Sequence, residues 1–250
     1  MTQVADTEGT LPTRAELVAG LVSAMANPAR SPILRSPADD GIAFSDIFFP
    51  AMDGVTIEGW YIPGDSDRLI IANHPIWANR YGFPGHLKPY SDAWEASGNN
   101  IEVNFMPDYK HLHEAGYHIL AYDLRNFGQS AAGSGGAVGN GIREYRDVIG
   151  SLRYVRSQPD LKDLRRATSM ELKDMDMPQY ATAVDVPTLL LQVRNDTMTT
   201  PDDVQAIFDA MPTDRKDLIW IEGTNRRFDG YNYLPQNPQP MLDWFERFVA

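Results

Sequence analysis

The stretch that decides the fold is Leu112–Ser130, which reads LHEAGYHILAYDLRNFGQS. Gly116 closes a short helical pattern, and the run Tyr117–Tyr122 that follows is apolar and rich in β-forming residues. This run stops at Asp123 and enters a turn that contains Gly128. A glycine at a helix C-terminus, a buried strand and a glycine-bearing loop are typical of half of a βαβ unit. The stretch therefore predicts a strand of an α/β sheet.

Predicted strands and helices alternate on both sides of this stretch. Two β-prone runs, Ile42–Pro50 and Val55–Ile62, are joined by Met52-Asp53-Gly54, and Asp-Gly in that position predicts a hairpin. Further strands are predicted at Arg68–Ala72, Thr188–Val193 and Leu218–Glu222, and helices at Thr13–Met25, Asn104–Ala115, Ile142–Arg156, Pro201–Met211, Pro240–Val249 and, more weakly, Arg166–Tyr180. The alternation predicts an α/β fold, a mostly parallel sheet with helices on both faces that opens with an antiparallel hairpin.

The bulk properties exclude several classes of function. The chain has 250 residues, enough for one sizeable core, and we expect an N-terminal helix and linker at 1–40 and a single α/β domain at 41–250. The net charge of −12 argues against a nucleic-acid partner. There is no cysteine, the N-terminus is unlike a secretory signal, and no apolar run is long enough to span a membrane. A cytoplasmic protein is therefore expected, and a homo-oligomer is compatible with the sequence.

The pattern D-x-R-x-x-G-x-S at Asp123–Ser130 resembles the loop after the fourth strand of α/β-hydrolase enzymes. The hairpin, the strand that ends in Asn73-His74-Pro75 and the elements up to about Asp160 are similar to the N-terminal half of that family. The later run VPTLLLQVRNDTMTTPDDV is similar to its seventh strand, acid loop and following helix. The resemblance implies hydrolysis of an ester, amide or related bond in a small, partly apolar substrate, without a cofactor.

Two parts of the family pattern are missing from the sequence. The nucleophile elbow G-x-S-x-G should follow the helix Ile142–Arg156, and it is not there. The interval Asp160–Pro187 is too short for two βα units, because one βαβ unit takes about 30 residues. We therefore expect a deletion of the central nucleophile-bearing strand region near 160–168. If the deletion is covalent, Thr188–Val193 should pair directly with Arg68–Ala72, since unpaired strand edges are costly inside a sheet.

The resemblance also nominates catalytic residues. Asp196 matches the family's acid, His74 follows the strand Arg68–Ala72, and Ser130 is the hydroxyl nearest to that strand in the family order. The loop at 223–230, where the family has its histidine, contains none. Each residue also has a structural interpretation: Ser130 as a loop-capping hydroxyl, His74 as a packed side chain, and Asp196 as a turn carboxylate. We expect that the three do not form a catalytic relay.

The substrate-binding candidates come from the loops after the strands. Pro75 lacks an N–H group, so oxyanion donors would be the amides of Ile76 and Trp77. The other candidates are aromatic and cationic: Tyr81, Arg125, Arg226 and Tyr231. The glycine-rich Gly133–Gly136 lacks the Lys-Ser/Thr of a P-loop, and no metal-ligand cluster is evident. The alternative function is a non-catalytic small-ligand binding or interaction protein on the same scaffold. His118, inside the central strand, is expected to be packed.

Overall fold

The computed structural model describes residues 14–26, 28–161, 165–168, 181–197 and 199–249. Their strands are β1 Ser45–Pro50, β2 Thr56–Ile62, β3 Arg68–Ala72, β4 Gly82–Pro84, β5 Glu102–Asn104, β6 His118–Tyr122, β7 Arg165–Thr168, β8 Thr188–Val193 and β9 Lys216–Ile221. Their helices are α1 Arg14–Ala26, α2 Tyr90–Trp94, α3 Met106–Glu114, α4 Tyr145–Ser157, α5 Pro201–Ala210, α6 Arg227–Tyr231, α7 Tyr233–Gln236 and α8 Gln239–Val249. Thr13, the first residue of the predicted N-terminal helix, lies outside the described residues.

A five-stranded sheet in the order β1-β2-β6-β3-β7 forms the centre of the fold. The strands β1 and β2 form the predicted antiparallel hairpin, with Pro50 opposite Thr56. Strand β6 is antiparallel to β2 and parallel to β3. The α/β class is confirmed, and the parallel strands direct their carboxyl ends toward one edge of the sheet, where ligands bind in folds of this kind.

The predicted pairing of Thr188–Val193 with Arg68–Ala72 is wrong. Strand β3 pairs instead with β7, in parallel, and β8 pairs in parallel with β9 in a separate two-stranded sheet. The helical prediction at Arg166–Tyr180 is also wrong for 166–168, which belongs to strand β7; 169–180 lies outside the described residues. Both errors have one cause. A central strand needs hydrogen-bond partners on both edges, and β7, which lies between α4 and β8 in the chain, is the strand that pairs with the second edge of β3. The deletion near 160–168 stays a prediction.

Helices pack on both faces of the central sheet, as predicted. On one face, α3 and α8 contribute Tyr109, Leu112 and Met241 to a core with Trp60 and Ile119. On the other face, α4 contributes Val155 to a second core, whose strand residues include Phe49, Leu69 and Tyr122. Burial of these side chains on both faces keeps the middle of the sheet dry. The polar groups that matter for function are therefore those at the edge of the sheet.

The linker before the hairpin packs against the domain. Arg30 lies in this linker, and its Nη1 donates to the carbonyls of Phe127 at 3.3 Å, Gly128 at 2.9 Å and Ser130 at 2.6 Å. The linker thus contributes a side chain that holds the loop after β6.

Candidate functional site

A buried ion pair fixes the loop that follows β6. The Asp123 carboxylate accepts hydrogen bonds from the Arg80 main chain at 2.7 Å, the Arg80 guanidinium at 3.0 Å and the Gln129 main chain at 2.8 Å. Both side chains of the pair are at most 2% exposed. Glu58 accepts from the same guanidinium at 2.9 Å. Because the Asp123 carboxylate bonds to Gln129 at the far end of the turn, it holds the loop in one conformation. Arg80 was not among the predicted site residues, since no motif marks it.

Ser130 lies at the end of this loop and is 1% exposed. Its hydroxyl donates to the Asp123 carbonyl at 2.6 Å and accepts from the Glu58 main chain at 2.9 Å. The loop is thereby tied back to β2. The hydroxyl occupies the loop-capping position that was the structural interpretation of this residue.

His74 is buried at the end of β3. Its Nε2 accepts a hydrogen bond from the Leu124 main chain at 2.9 Å, and its Nδ1 lies 2.9 Å from the Pro75 carbonyl, to which it donates. The ring also packs edge-on against Phe127, with centroids 5.7 Å apart. Two main-chain partners fix the ring as the neutral Nδ1–H tautomer. The imidazole thus connects the loop after β3 to the loop after β6.

Arg125, a predicted substrate-binding residue, is fully buried. Its guanidinium bonds to Asp147 of α4 at 2.7 and 2.9 Å and to Asp53 of the hairpin turn at 2.7 and 2.9 Å. Asp147 also accepts from the Arg125 main chain at 2.9 Å. The hydrogen bonds with Asp53, followed by those with Asp147, raise the pKa of Arg125 above its usual range. The structure thus places this side chain in a network that joins three elements.

Asp196, the predicted acid, is buried after β8 and forms an ion pair with Arg227. The Arg227 guanidinium lies 2.8 Å from the carboxylate, and the two residues are each 8% exposed. Gln192 and Thr199 donate to the same carboxylate at 2.9 and 3.1 Å. Arg226, the neighbouring candidate, bonds to Asp229 at 3.0 Å. An arginine thus lies beside Asp196, where the α/β-hydrolase pattern supplies a histidine.

The amides of Ile76 and Trp77 are the predicted oxyanion donors. Trp77 has a φ of 75°, a left-handed conformation that is rare for a residue with a large side chain and that marks local strain. Within the part of the chain that the structure describes, neither amide has a hydrogen-bond partner. Both residues are partly exposed at the carboxyl end of β3. Two adjacent free N–H groups can bind a carbonyl or carboxylate oxygen.

The aromatic candidates belong to packed clusters. Tyr81 is fully buried, and its hydroxyl donates to Glu102 at 2.9 Å. Burial, followed by this hydrogen bond, raises the pKa of Tyr81 above its ordinary value of 10.0. Tyr231 packs on Phe228, with ring centroids 5.6 Å apart, and Phe228 in turn contacts Trp94 at 5.1 Å. Trp94, Phe228 and Tyr231 thus belong to one packed cluster.

The described residues contain no group of three or more His, Asp or Glu side chains arranged to hold a metal ion. None of the helices described here has both the length and the apolar character needed to cross a bilayer.

The fold is similar to those of solved hydrolases. The esterase Pf2001 of Pyrococcus furiosus superposes with a TM-score of 0.70 at 16% identity, over 90% of this chain and 100% of that one. A dienelactone hydrolase from Anabaena variabilis gives 0.53 at 13% identity, over 83% and 99% of the chains. A cold-adapted esterase from an Arctic intertidal metagenomic library gives 0.54 at 14% identity, over 82% and 93%.

No protein-family model matches the sequence, and no curated protein matches it. Because the identities to the solved structures are low, the likeness shows the fold alone. The chain has the α/β-hydrolase fold, which confirms at that level the resemblance seen in the sequence.

Proposed function

We propose that this chain is a hydrolase by descent in which Ser130, His74 and Asp196 do not form a catalytic relay, and that it binds a small, partly apolar molecule at the carboxyl edge of β3 and β6. One observation carries the proposal: the candidate nucleophile and base both bond to the main chain. The Ser130 hydroxyl bonds to Asp123 and Glu58, and the His74 ring bonds to Leu124 and Pro75.

The energetic cost of freeing these groups supports the absence of catalysis. A nucleophile needs a base within hydrogen-bond reach and a third group that orients the base. Turning the Ser130 hydroxyl toward a substrate would leave the Glu58 N–H without a partner, and a buried unsatisfied group costs about 1–3 kcal/mol. Turning His74 would do the same to the Leu124 N–H. Arg227, the partner of Asp196, cannot act as a base because a guanidinium does not deprotonate in proteins.

The free amides of Ile76 and Trp77 support binding. Both residues are partly exposed, and the left-handed conformation of Trp77 turns its main-chain groups away from the directions they would have in a regular strand. A ligand with a carbonyl or carboxylate oxygen and an apolar body fits such a pair of donors. Methyl butyrate and butyrate are suitable probes of this chemistry.

The catalytic half of the proposal is tested by ester turnover. With p-nitrophenyl butyrate in excess, steady-state release of nitrophenol is expected to equal the buffer blank. Two variants test the alternative that a serine of this chain is catalytic: Ser130→Ala and Ser169→Ala. Ser169 is included because it follows β7 in the sequence, and β7 pairs with β3. Steady-state turnover that either substitution abolishes would overturn the assignment of an incomplete site.

The binding half is tested by titrating the ¹⁵N-labelled protein with methyl butyrate and butyrate. The amide resonances of Ile76 and Trp77 are expected to shift saturably, while the amide of Ala78, which already donates to Pro75 at 3.1 Å, shifts little. Shifts spread evenly over the surface, without saturation, would contradict a binding site at these amides.

A further inference from the structure

The opposite edge of the central sheet carries a hydroxyl–imidazole pair. The hydroxyl of Tyr61, near the end of β2, lies 2.6 Å from Nδ1 of His118, the first residue of β6. The two rings stack nearly parallel, with centroids 5.9 Å apart and planes 14° apart. Nδ1 of His118 thus has a side-chain hydroxyl as its hydrogen-bond partner. The expectation that His118 is simply packed missed this contact.

A third group fixes the protonation state of the imidazole. Nε2 of His118 lies 2.9 Å from the carbonyl of Ser66, which can only accept, so Nε2 carries the proton. Nδ1 is then an acceptor, and Tyr61 must be the donor. Nucleophile, base and orienting group thus stand in the arrangement that activates hydroxyl nucleophiles in enzymes. If the imidazole takes up a proton, the Ser66 carbonyl stabilises the resulting cation.

The pair is separate from the site of the proposed function. His118 begins β6 and Asp123 follows its end, so about 15 Å of strand, at about 3.3 Å per residue, lies between the two edges. Tyr61 and His118 are both partly exposed, so the proposal requires a reagent small enough to approach a partly buried pair.

We propose that Tyr61 and His118 form a nucleophilic dyad that accepts an acyl group from small activated esters. The Tyr61 oxygen attacks the ester carbonyl carbon, and its proton passes to Nδ1 of His118. The bond between the acyl carbon and the alcohol oxygen breaks, and the leaving oxygen takes up that proton. The products are an ester of Tyr61 and the free alcohol, and no other reactant is needed.

The surroundings of Tyr61 make its hydroxyl difficult to ionise, so that its reaction requires a base. Burial, followed by Asp160 and Tyr154, raises the pKa of Tyr61 above its ordinary value of 10.0. Direct ionisation of the hydroxyl is therefore suppressed at neutral pH, and reaction there depends on His118. General-base assistance contributes about 10²–10⁴-fold to rates of this kind.

The test is acetylation by p-nitrophenyl acetate, followed by peptide mapping of each tyrosine. Tyr145 is the internal control, because it is 40% exposed and its hydroxyl lies near Arg146, not near an imidazole. At neutral pH we expect Tyr61 to react about 100-fold faster than Tyr145, the lower end of general-base assistance. His118→Asn keeps an acceptor near the Nδ1 position but no base, and should remove that advantage without changing the rate at Tyr145.

The pH profile distinguishes a base from a structural partner. In the unmodified protein Tyr61 should react at neutral pH, whereas in His118→Asn its rate should depend on ionisation of the hydroxyl and rise only at high pH. Equal rates at Tyr61 and Tyr145, or a rate at Tyr61 that His118→Asn leaves unchanged, would overturn the dyad. In the unmodified protein the dyad should release a burst of at most one equivalent of nitrophenol, and this burst should disappear in Tyr61→Phe. Steady-state release of nitrophenol that persists in Tyr61→Phe would contradict the proposed function and not the dyad.

Discussion

Two regions of the molecule use charge in opposite ways. The loop after β6 is held by buried ion pairs: Arg125 and Asp147 are each 0% exposed. Strands β8 and β9 are followed by a pair that lies in solvent, Arg194 and Glu222, with exposures of 39% and 60%. The loop after β6 is irregular, so its main chain needs side-chain partners, whereas the parallel ladder of β8 and β9 supplies its own.

The comparison shows why a catalytic-looking motif can serve structure. The residues of D-L-R-N-F-G-Q-S that resemble a hydrolase loop are the ones that hold the loop in place. Asp123 binds Arg80, Arg125 binds Asp147, and Ser130 binds Glu58. In the described part of the β8–β9 region, Asp196 has comparable partners. Substitutions should therefore be far more costly in the loop than in β8–β9.

The largest effect is expected for the buried arginine. Arg125→Met leaves the buried Asp147 carboxylate without its partner, which costs about 3–5 kcal/mol. The matched substitution Arg194→Met breaks an exposed pair, which is worth about 0–1 kcal/mol. Urea unfolding curves of both variants measure the difference in the free energy of unfolding. Similar losses for the two variants would show that burial does not distinguish these regions.

A smaller effect is expected from crowding at Gly128. Its φ is +45°, and a Cβ there would overlap the Asp123 carboxylate. Gly135 also has a positive φ, of +70°, but a Cβ there would have no atom within 4 Å. Both Gly→Ala variants carry the backbone strain of about 1 kcal/mol, and only Gly128→Ala adds displacement of Asp123, for which about 1–3 kcal/mol more is expected. Thermal unfolding should show a clearly lower Tm for Gly128→Ala, and equal Tm values would contradict the overlap.

The smallest effect concerns acid stability. Hydrogen bonds from Arg125 hold the pKa of Asp53 well below its ordinary value of 3.8. A carboxyl group whose folded pKa is depressed stabilises the protein fully above the unfolded pKa, and this contribution is lost as the pH falls below about 4. Asp53→Asn should therefore flatten the acid limb of the stability curve measured by unfolding between pH 2 and about 6. Because Asp53 is one-third exposed, the change should be modest, and an unchanged acid limb would contradict this role.

The sequence predicted the elements whose signal is local. The hairpin at Asp53-Gly54, the strands Arg68–Ala72 and Thr188–Val193 and the amphipathic helices follow from turn residues and from hydrophobic periodicity, and they were placed within a few residues. Strand Arg165–Thr168 was missed because its four residues have no apolar alternation. Its position in the sheet depends on β3, whose second edge requires a hydrogen-bonded neighbour.

What the sequence determined by itself is the α/β class, the hairpin and the order of the elements, because periods of two and 3.6 residues are read over short windows. The tertiary structure alone decided what the polar residues do. Arg80 meets an acid 43 positions away, Ser130 meets a main-chain N–H 72 positions away, and Arg227 meets Asp196 across 31 positions. A hydroxyl, an imidazole and a carboxylate acquire their chemistry from such partners, since hydrogen bonding and burial set which groups are free to react.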